Sequence, residues 1–240
     1  MLKMKSRSLW VAISMLLTFG AVQADETDDL IKNLEKLLPS NMSVDSIAES
    51  PMTGVYNVRA GNQDLYVFSQ GSHVMIGDVY DVDRRVNLGE EKKYAEMAAA
   101  LDSIPESEMI VMGNLDAERH VTVFTDTDCG YCQRFHRTID DLAAGGLKVR
   151  YLMFPRAGLQ SKSYQEAVSV WCADDQGEAM TLAKAGQTIE DKTCENPVAA
   201  QYQLGQQIGI RGTPTMILDS GKVIPGYLPA DQLLMEAGIN

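Results

Sequence analysis

Apolar residues recur along this chain in two rhythms, and the places where the rhythm changes divide it into parts. Leu30, Ile31, Leu34, Leu37 and Leu38 fall at the spacing of one helix face. They predict a short amphipathic helix from Asp28 to Leu38, ended by Pro39. From Val44 to about Val82 the period shortens to that of strands: Gly54–Arg59, Leu65–Phe68, and His73–Ile76 with Val79–Tyr80. Gly61-Asn62 and Gln70-Gly71-Ser72 supply the turns between them. A helix on an antiparallel sheet of roughly 60 residues has a thin core by itself. Joining a sheet edge to that of a second copy is the cheapest way to complete it.

Glu90–Leu101 follows, rich in helix formers and free of Gly and Pro. It reads as a helical connector, the alternative being a solvated helix of the second domain. Beyond it, Met109–Met112 and His120–Thr125 read as strands, Cys132–Leu142 as a helix with Phe135, Ile139 and Leu142 inward, and Lys148–Phe154 as a strand. That succession is a βαβ unit, which implies a parallel pairing. A helical stretch from about Lys162 to Gly209 interrupts the sheet. Thr215–Leu218 and Val223-Ile224 form a hairpin about Asp219–Lys222, and Pro229–Ala237 closes the chain as a helix.

The first residues alter this picture. Lys3, Lys5 and Arg7 precede a short apolar run beginning Leu9–Leu17, and Val22-Gln23-Ala24 offers small residues before Asp25. This is the pattern of an export signal cut between Ala24 and Asp25. A spanning helix needs about 20 apolar residues, and Gly20 and Gln23 interrupt this run early. Removing residues 1–24 leaves 18 Lys and Arg against 33 Asp and Glu, so the formal charge moves from −12 to −15. Such a field repels nucleic acid, and no later stretch is apolar enough for a membrane helix. The expectation is an acidic exported protein without stable membrane insertion, acting on other proteins or small thiols.

The four cysteines are too few for a disulfide scaffold and invite a pairwise reading. Cys129 and Cys132 flank Gly130-Tyr131 at a strand-to-helix junction. There the first sulfur meets unpaired N–H groups and the positive helix end, and the second lies about one turn deeper. The attacking species is the thiolate, so Cys129 is the expected nucleophile, held as an accessible anion, and Cys132 the resolving thiol. Gly130 and Tyr131 set the backbone freedom and the surroundings of Cys129. Asp126 and Asp128, just upstream, are expected to oppose a strongly lowered thiol pKa. Zinc competes for a CxxC, but it wants four ligands and the only nearby candidate is His136. A structural 129–132 disulfide is the other alternative. No metal or cofactor is expected.

Gly212-Thr213-Pro214-Thr215, alone, is only a turn before a strand. After a CxxC βαβ unit it reads as the loop facing the sulfurs. A cis Pro214 would leave the Thr213 backbone free to pair with an extended substrate. Cys172 sits on an apolar helical face and Cys194 in a polar turn. In an oxidising compartment they read as a structural bridge, with buried free thiols as the alternative. His73, His120 and His136 read as structural or solvent-facing. The methionines read as core, with Met42 and Met52 candidates for an apolar binding surface.

With these motifs placed, the chain resembles the DsbC-type protein disulfide isomerases. The resemblance is carried by His120–Cys132, Val149–Gly158, Val170–Ala173, Gly212–Pro214, Val223–Tyr227 and, in the first module, Met75–Val82. Gly177–Asn196 and the C-terminus carry less of it. It implies an α+β protein: a signal peptide at 1–24, a cystatin-like dimerisation module at 25–85, a linker helix at 86–106, and a thioredoxin-like catalytic domain with a helical insertion at 107–240. It also implies a homodimer with an apolar cleft, a cis Pro214, a Cys172–Cys194 bridge and a periplasmic location. Its substrates would be misfolded disulfide-containing exported proteins, with secondary chaperone activity, and a membrane reductase of the DsbD type would keep it reduced. The rivals are a DsbG-like reductase of sulfenylated cysteines and a binding-only chaperone. A DsbA-like oxidase would need no dimerisation module.

Overall fold

The computed structural model describes residues 22–40, 42–61, 63–69 and 73–239. Most of the expected export signal, and the turn residues Asn62 and Gln70–Ser72, lie outside these. The chain divides into two compact units, Met1–Asp81 and Val82–Asn240.

The first unit holds helix α1 (Val22–Glu35) and strands β1 (Ser46–Glu49), β2 (Val55–Ala60), β3 (Gln63–Phe68) and β4 (Val74–Met75). A further two-residue strand, β5 (Tyr80–Asp81), ends it. The strands form an antiparallel sheet in the order β1-β2-β3-β4. Leu30 and Leu34 of α1 are buried with Val58, Ala60, Leu65 and Val67. This is the amphipathic contact that the leucine spacing predicts. The helix stops at Glu35 rather than Leu38, with Leu37 and Leu38 closing it as a turn whose amides donate to the Leu34 carbonyl at 2.9 and 3.1 Å. Strand β1 escaped the sequence reading. It is an edge strand whose residues are mostly exposed, so burial imposes no alternation on it. Met42 packs against this core, so the structure turns it inward instead of placing it on a binding surface.

The second unit begins with the two-residue strand β6 (Val86–Asn87) and helix α2 (Leu88–Asp102). Asn87 caps α2, its Oδ1 accepting from the amides of Gly89 and Glu90, and Glu90 and Glu91 complement the positive end. Leu101 of α2 is buried in the unit's core. The turn at Gly221 backs onto the same helix. A Cβ there would collide with the Tyr94 carbonyl, and the residue's φ of +81° suits only glycine.

Five strands follow: β7 (Ile110–Gly113), β8 (His120–Thr125), β9 (Lys148–Met153), β10 (Thr215–Leu218) and β11 (Val223–Pro225). They are ordered β11-β10-β8-β9-β7, with β8 and β9 parallel and the other pairs antiparallel. Strand alternation sorts the side chains onto two faces. Val121, Val123, Val149, Tyr151, Met153, Met216 and Leu218 enter one cluster, and Phe124, Leu152 and Ile217 the other. Both faces are covered, which is why these strands read as continuous apolar runs.

The helices of this unit are α3 (Gly130–His136), α4 (Ile139–Ala144), α5 (Lys162–Trp171), α6 (Gln176–Lys184), α7 (Val198–Gln207) and α8 (Ala230–Glu236). The single helix expected over Cys132–Leu142 is therefore two. At the break the Thr138 hydroxyl donates to the Phe135 carbonyl at 2.7 Å, the kind of side-chain competition that bends a helix. The helical stretch from Lys162 is α5, α6 and α7. Cys172, at the end of α5, is joined to Cys194 in the loop before α7, with Cα atoms 5.7 Å apart.

Candidate active site

The site grows from the end of β8. Thr125 leads into Asp126-Thr127-Asp128, and Asp126 folds this loop back on itself. Its carbonyl accepts from the Cys129 amide at 3.1 Å and its Oδ1 from the Asp128 amide at 3.2 Å. Cys129 is thereby set at the N-cap of α3 with extended backbone. Cys132, one turn along, faces the core and is fully buried. Gly130 and Tyr131 lie outward between them; a Cβ on Gly130 would meet nothing, and Tyr131 is exposed.

From the other side comes the loop before β10, whose Thr213–Pro214 peptide bond is cis. The Cys129 Sγ donates to the Thr213 carbonyl at 3.1 Å. The sulfur expected to stand open is therefore nearly covered: residue 129 is only 3 % exposed. The cause is tertiary, because the Thr213 loop comes down onto the nucleophile. Among the described residues the buried Thr213 Oγ1 makes no hydrogen bond, so its O–H remains available to turn toward an ionised sulfur. Its hydroxyl favours the anionic form of both sulfurs.

The two thiols are driven apart. Burial pushes Cys129 up, but the Thr213 hydroxyl, the amide and thiol of Cys132 and the Arg156 guanidinium outweigh it, so Cys129 is held below the ordinary thiol value. Burial dominates at Cys132 and holds it above that value, against the pull of Lys184, the Asp126 amide and the hydroxyls of Thr125 and Thr213. One thiol is thus poised to ionise while its neighbour keeps its proton.

Asp126 corrects the sequence reading. It is not an exposed negative charge beside the thiol but is 3 % exposed, with Oδ2 accepting from both the Arg156 amide and the Arg156 Nε at 2.9 Å. The pair leaves the guanidinium within electrostatic reach of Cys129. Asp128 remains exposed, as expected.

His136 is buried and turned away from the sulfurs. Its ring nitrogens lie 3.0 Å from the Tyr151 hydroxyl and 3.0 Å from Thr181 Oγ1. Thr181 spends its own proton on the Gly177 carbonyl. So Nε2 donates to Thr181, and Nδ1 accepts from Tyr151. Burial, helped by Lys184, pushes the His136 pKa down to about 4. A neutral imidazole committed in this way does not complete a zinc set, and among the described residues no cluster of His, Cys, Asp and Glu could hold a metal.

The fold thus gathers Cys129, Cys132, Thr213 and the buried Pro214, with Gly130 and Tyr131 at the rim. The Cys172–Cys194 bridge ties down the helical insertion. Sequence reasoning gave no role to Arg156, Thr125 or Lys184. A signal for the last did exist: Ala179, Met180, Ala183 and Lys184 share the buried face of α6, an apolar stripe holding one lysine.

Comparison with known proteins agrees with this arrangement. Residues 20–90 match the family described as disulfide bond isomerase protein N-terminal domain, and residues 107–236 match the thioredoxin-like domain. The thiol:disulfide interchange protein DsbC of Salmonella typhimurium is 36 % identical over 226 residues, covering 93 % of this chain and 92 % of its own. That of Dickeya dadantii is 33 % identical over 232 residues, covering 96 % and 94 %. A crystal structure of a disulfide interchange protein from Neisseria gonorrhoeae superposes with a TM-score of 0.51 at 30 % identity, over 56 % of this chain and 96 % of that one. With two ionisably distinct thiols under a cis-proline loop, an N-terminal module of the matching kind and relatives alike over nearly the whole length, the chain belongs to the DsbC family of thiol–disulfide oxidoreductases.

Proposed function

We propose that this enzyme rearranges incorrect disulfides in exported proteins. The Cys129 thiolate attacks a substrate disulfide. The bond to one substrate sulfur breaks, the other forms a mixed disulfide with Cys129, and the departing sulfur leaves as thiolate. A different substrate thiol then attacks the mixed disulfide and releases a rearranged protein, or Cys132 attacks and releases a reduced one. The observation that carries this reading is the pairing of a lowered Cys129 thiol with a raised, buried Cys132 beneath the Thr213–Pro214 loop. A nucleophile that ionises readily, beside a partner that does not, lets the mixed disulfide live long enough for a substrate thiol to act.

An isomerase must rest with Cys129 and Cys132 both as free thiols. We infer that a membrane reductase of the DsbD type maintains this form. The N-terminal unit supports a homodimer. Its sheet ends in the two-residue edge strand β4, and Met75 of that strand, the adjoining Ile76 and Phe68 of β3 are exposed. Among the described residues no helix is long and apolar enough to cross a membrane, which suits a periplasmic place of work after removal of residues 1–24. Exposed apolar surface also supports a secondary capacity to hold partly unfolded chains.

The test supplies a protein with scrambled disulfides to wild type, Cys129→Ser and Cys132→Ser. Cys129→Ser abolishes reshuffling, and Cys132→Ser accumulates a mixed disulfide. Equal activity in all three refutes the assignment. Deleting residues 25–85 leaves monomers that exchange thiols but isomerise poorly; a full-length monomer in solution refutes the dimer.

A further inference from the structure

One buried charge has no task in the chemistry above. Lys184 is 3 % exposed, although lysines almost always keep the ammonium in water. Its Nζ donates to Thr125 Oγ1 at 2.6 Å and to the Asp126 carbonyl at 2.8 Å. Both acceptors lie on the strand end that carries the redox loop. Cys132 leans on the same two residues: its sulfur is favoured as an anion by the Thr125 hydroxyl and by the Asp126 amide. Lysine and resolving cysteine are thus tied to one two-residue segment from opposite elements, α6 and α3.

Other titratable groups face the pair. The Asp126 carboxylate is taken by Arg156. His136 is neutral, and Tyr151 is held well above its ordinary value, chiefly by burial, so it too is neutral. Cys132, the Asp126 carboxylate, Cys129 and Glu166 of α5 all act on Lys184 as negative neighbours and favour its charge. Burial pushes Lys184 down to about 8, which still leaves it mostly cationic at neutral pH. A cavity of about 260 Å³ lies beside the pair, lined by Gln133, His136, Arg137, Thr181 and Lys184 among others.

We propose that Lys184 is the positioning cation of the resolving step: its buried ammonium holds the Cys132 sulfur as an anion while that sulfur attacks the mixed disulfide. Lys184 thereby sets how often a bound substrate leaves reduced rather than rearranged. In the step, the Cys132 S–H bond breaks and its proton is given up to solvent. A bond forms between the Cys132 and Cys129 sulfurs as the bond from Cys129 to the substrate breaks. The electron pair departs on the substrate sulfur, which takes up a proton. The enzyme dithiol is oxidised and the substrate cysteine reduced.

This rests on Cys129 being the attacking thiol, but its first test does not depend on isomerisation. In a Cys129→Ser background, ultraviolet thiolate absorbance reports Cys132 ionisation directly. Lys184→Met raises the midpoint by about one pH unit, the effect of losing a nearby opposite charge, whereas Lys184→Arg stays close to the parent. In the full dithiol enzyme carrying a peptide mixed disulfide on Cys129, Lys184→Met slows peptide release roughly tenfold at neutral pH. Lys184→Arg largely restores release. An unchanged Cys132 midpoint in a folded Lys184→Met protein overturns the proposal. Should that variant fail to fold, carbon-labelled lysine in the Cys129→Ser protein gives the same answer by NMR. The Lys184 titration midpoint falls when Cys132 is also changed to Ser, and an unmoved midpoint overturns the proposal. A shifted Cys132 midpoint in a protein that cannot reshuffle scrambled disulfides refutes the proposed function and leaves the role of Lys184 standing.

Discussion

The Sγ of Cys129 lies 3.1 Å from the carbonyl oxygen of Thr213, a residue 84 positions further along the chain. This contact joins the two motifs that make the site, and it places the Thr213 hydroxyl where it acts on both sulfurs. Thr213→Val keeps the shape and removes the O–H. The Cys129 thiol then rises toward its ordinary value, by roughly half to one pH unit, and alkylation at neutral pH slows in proportion. Thr213→Ser restores it. An unchanged pH–rate profile in Thr213→Val shows that the hydroxyl has no part in holding the thiolate.

Selective alkylation tests the division of labour between the thiols. Cys129 is lowered and lies under the Thr213 loop, 3 % exposed; Cys132 is raised and fully buried. Limited reagent at neutral pH labels Cys129 at least roughly tenfold faster than Cys132, read by mass spectrometry of the digested protein. Stability of the dithiol form follows the same shifts. Because Cys129 is held below its unfolded value, it stabilises the fold above that value, about 8.5. This contribution is lost as pH falls through its folded midpoint. Cys132 has the opposite sign: its contribution is present below about 8.5 and lost as pH rises through its folded midpoint. Denaturant titrations of the reduced protein therefore show a maximum near the unfolded thiol value.

Acid weakens the protein through His136. Its folded pKa of about 4 lies below the ordinary value of 6.5. Between those values the unfolded chain binds the extra proton, so stability rises with pH across that window and is lost as pH falls from 6.5 toward 4. The loss approaches about 3 kcal/mol at the acid end. His120, also lowered mainly by burial, adds in the same direction. His136→Gln flattens the acid limb of a stability–pH curve; an acid limb of unchanged steepness refutes the assignment.

The bridge between Cys172 and Cys194 closes a short loop, with a sequence separation of 22. Replacing both cysteines by Ser costs roughly 3 kcal/mol by loop entropy, measured by denaturant unfolding of the otherwise identical protein. Cys129 reactivity stays unchanged, because the bridge ties α5 to the loop before α7 and does not touch the reactive pair. A large change in Cys129 alkylation would show that the insertion positions the active site.

Local pattern alone determined much of this molecule. Leu30 and Leu34 predicted the helix that packs on the first sheet, the apolar runs at His120–Thr125 and Thr215–Leu218 became strands at those bounds, and Cys129-Gly-Tyr-Cys132 announced its chemistry. All of these are properties of neighbouring residues, which periodicity and spacing record. What only the tertiary structure decided involves groups far apart in sequence. It covers Cys129 with the Thr213 loop, neutralises Asp126 with Arg156, breaks the helix at Thr138, and buries Lys184 beside the Thr125 hydroxyl that also serves Cys132. The balance of desolvation against a few placed charges sets each thiol's proton affinity. Those charges arrive from separate elements, so no window of sequence contains them.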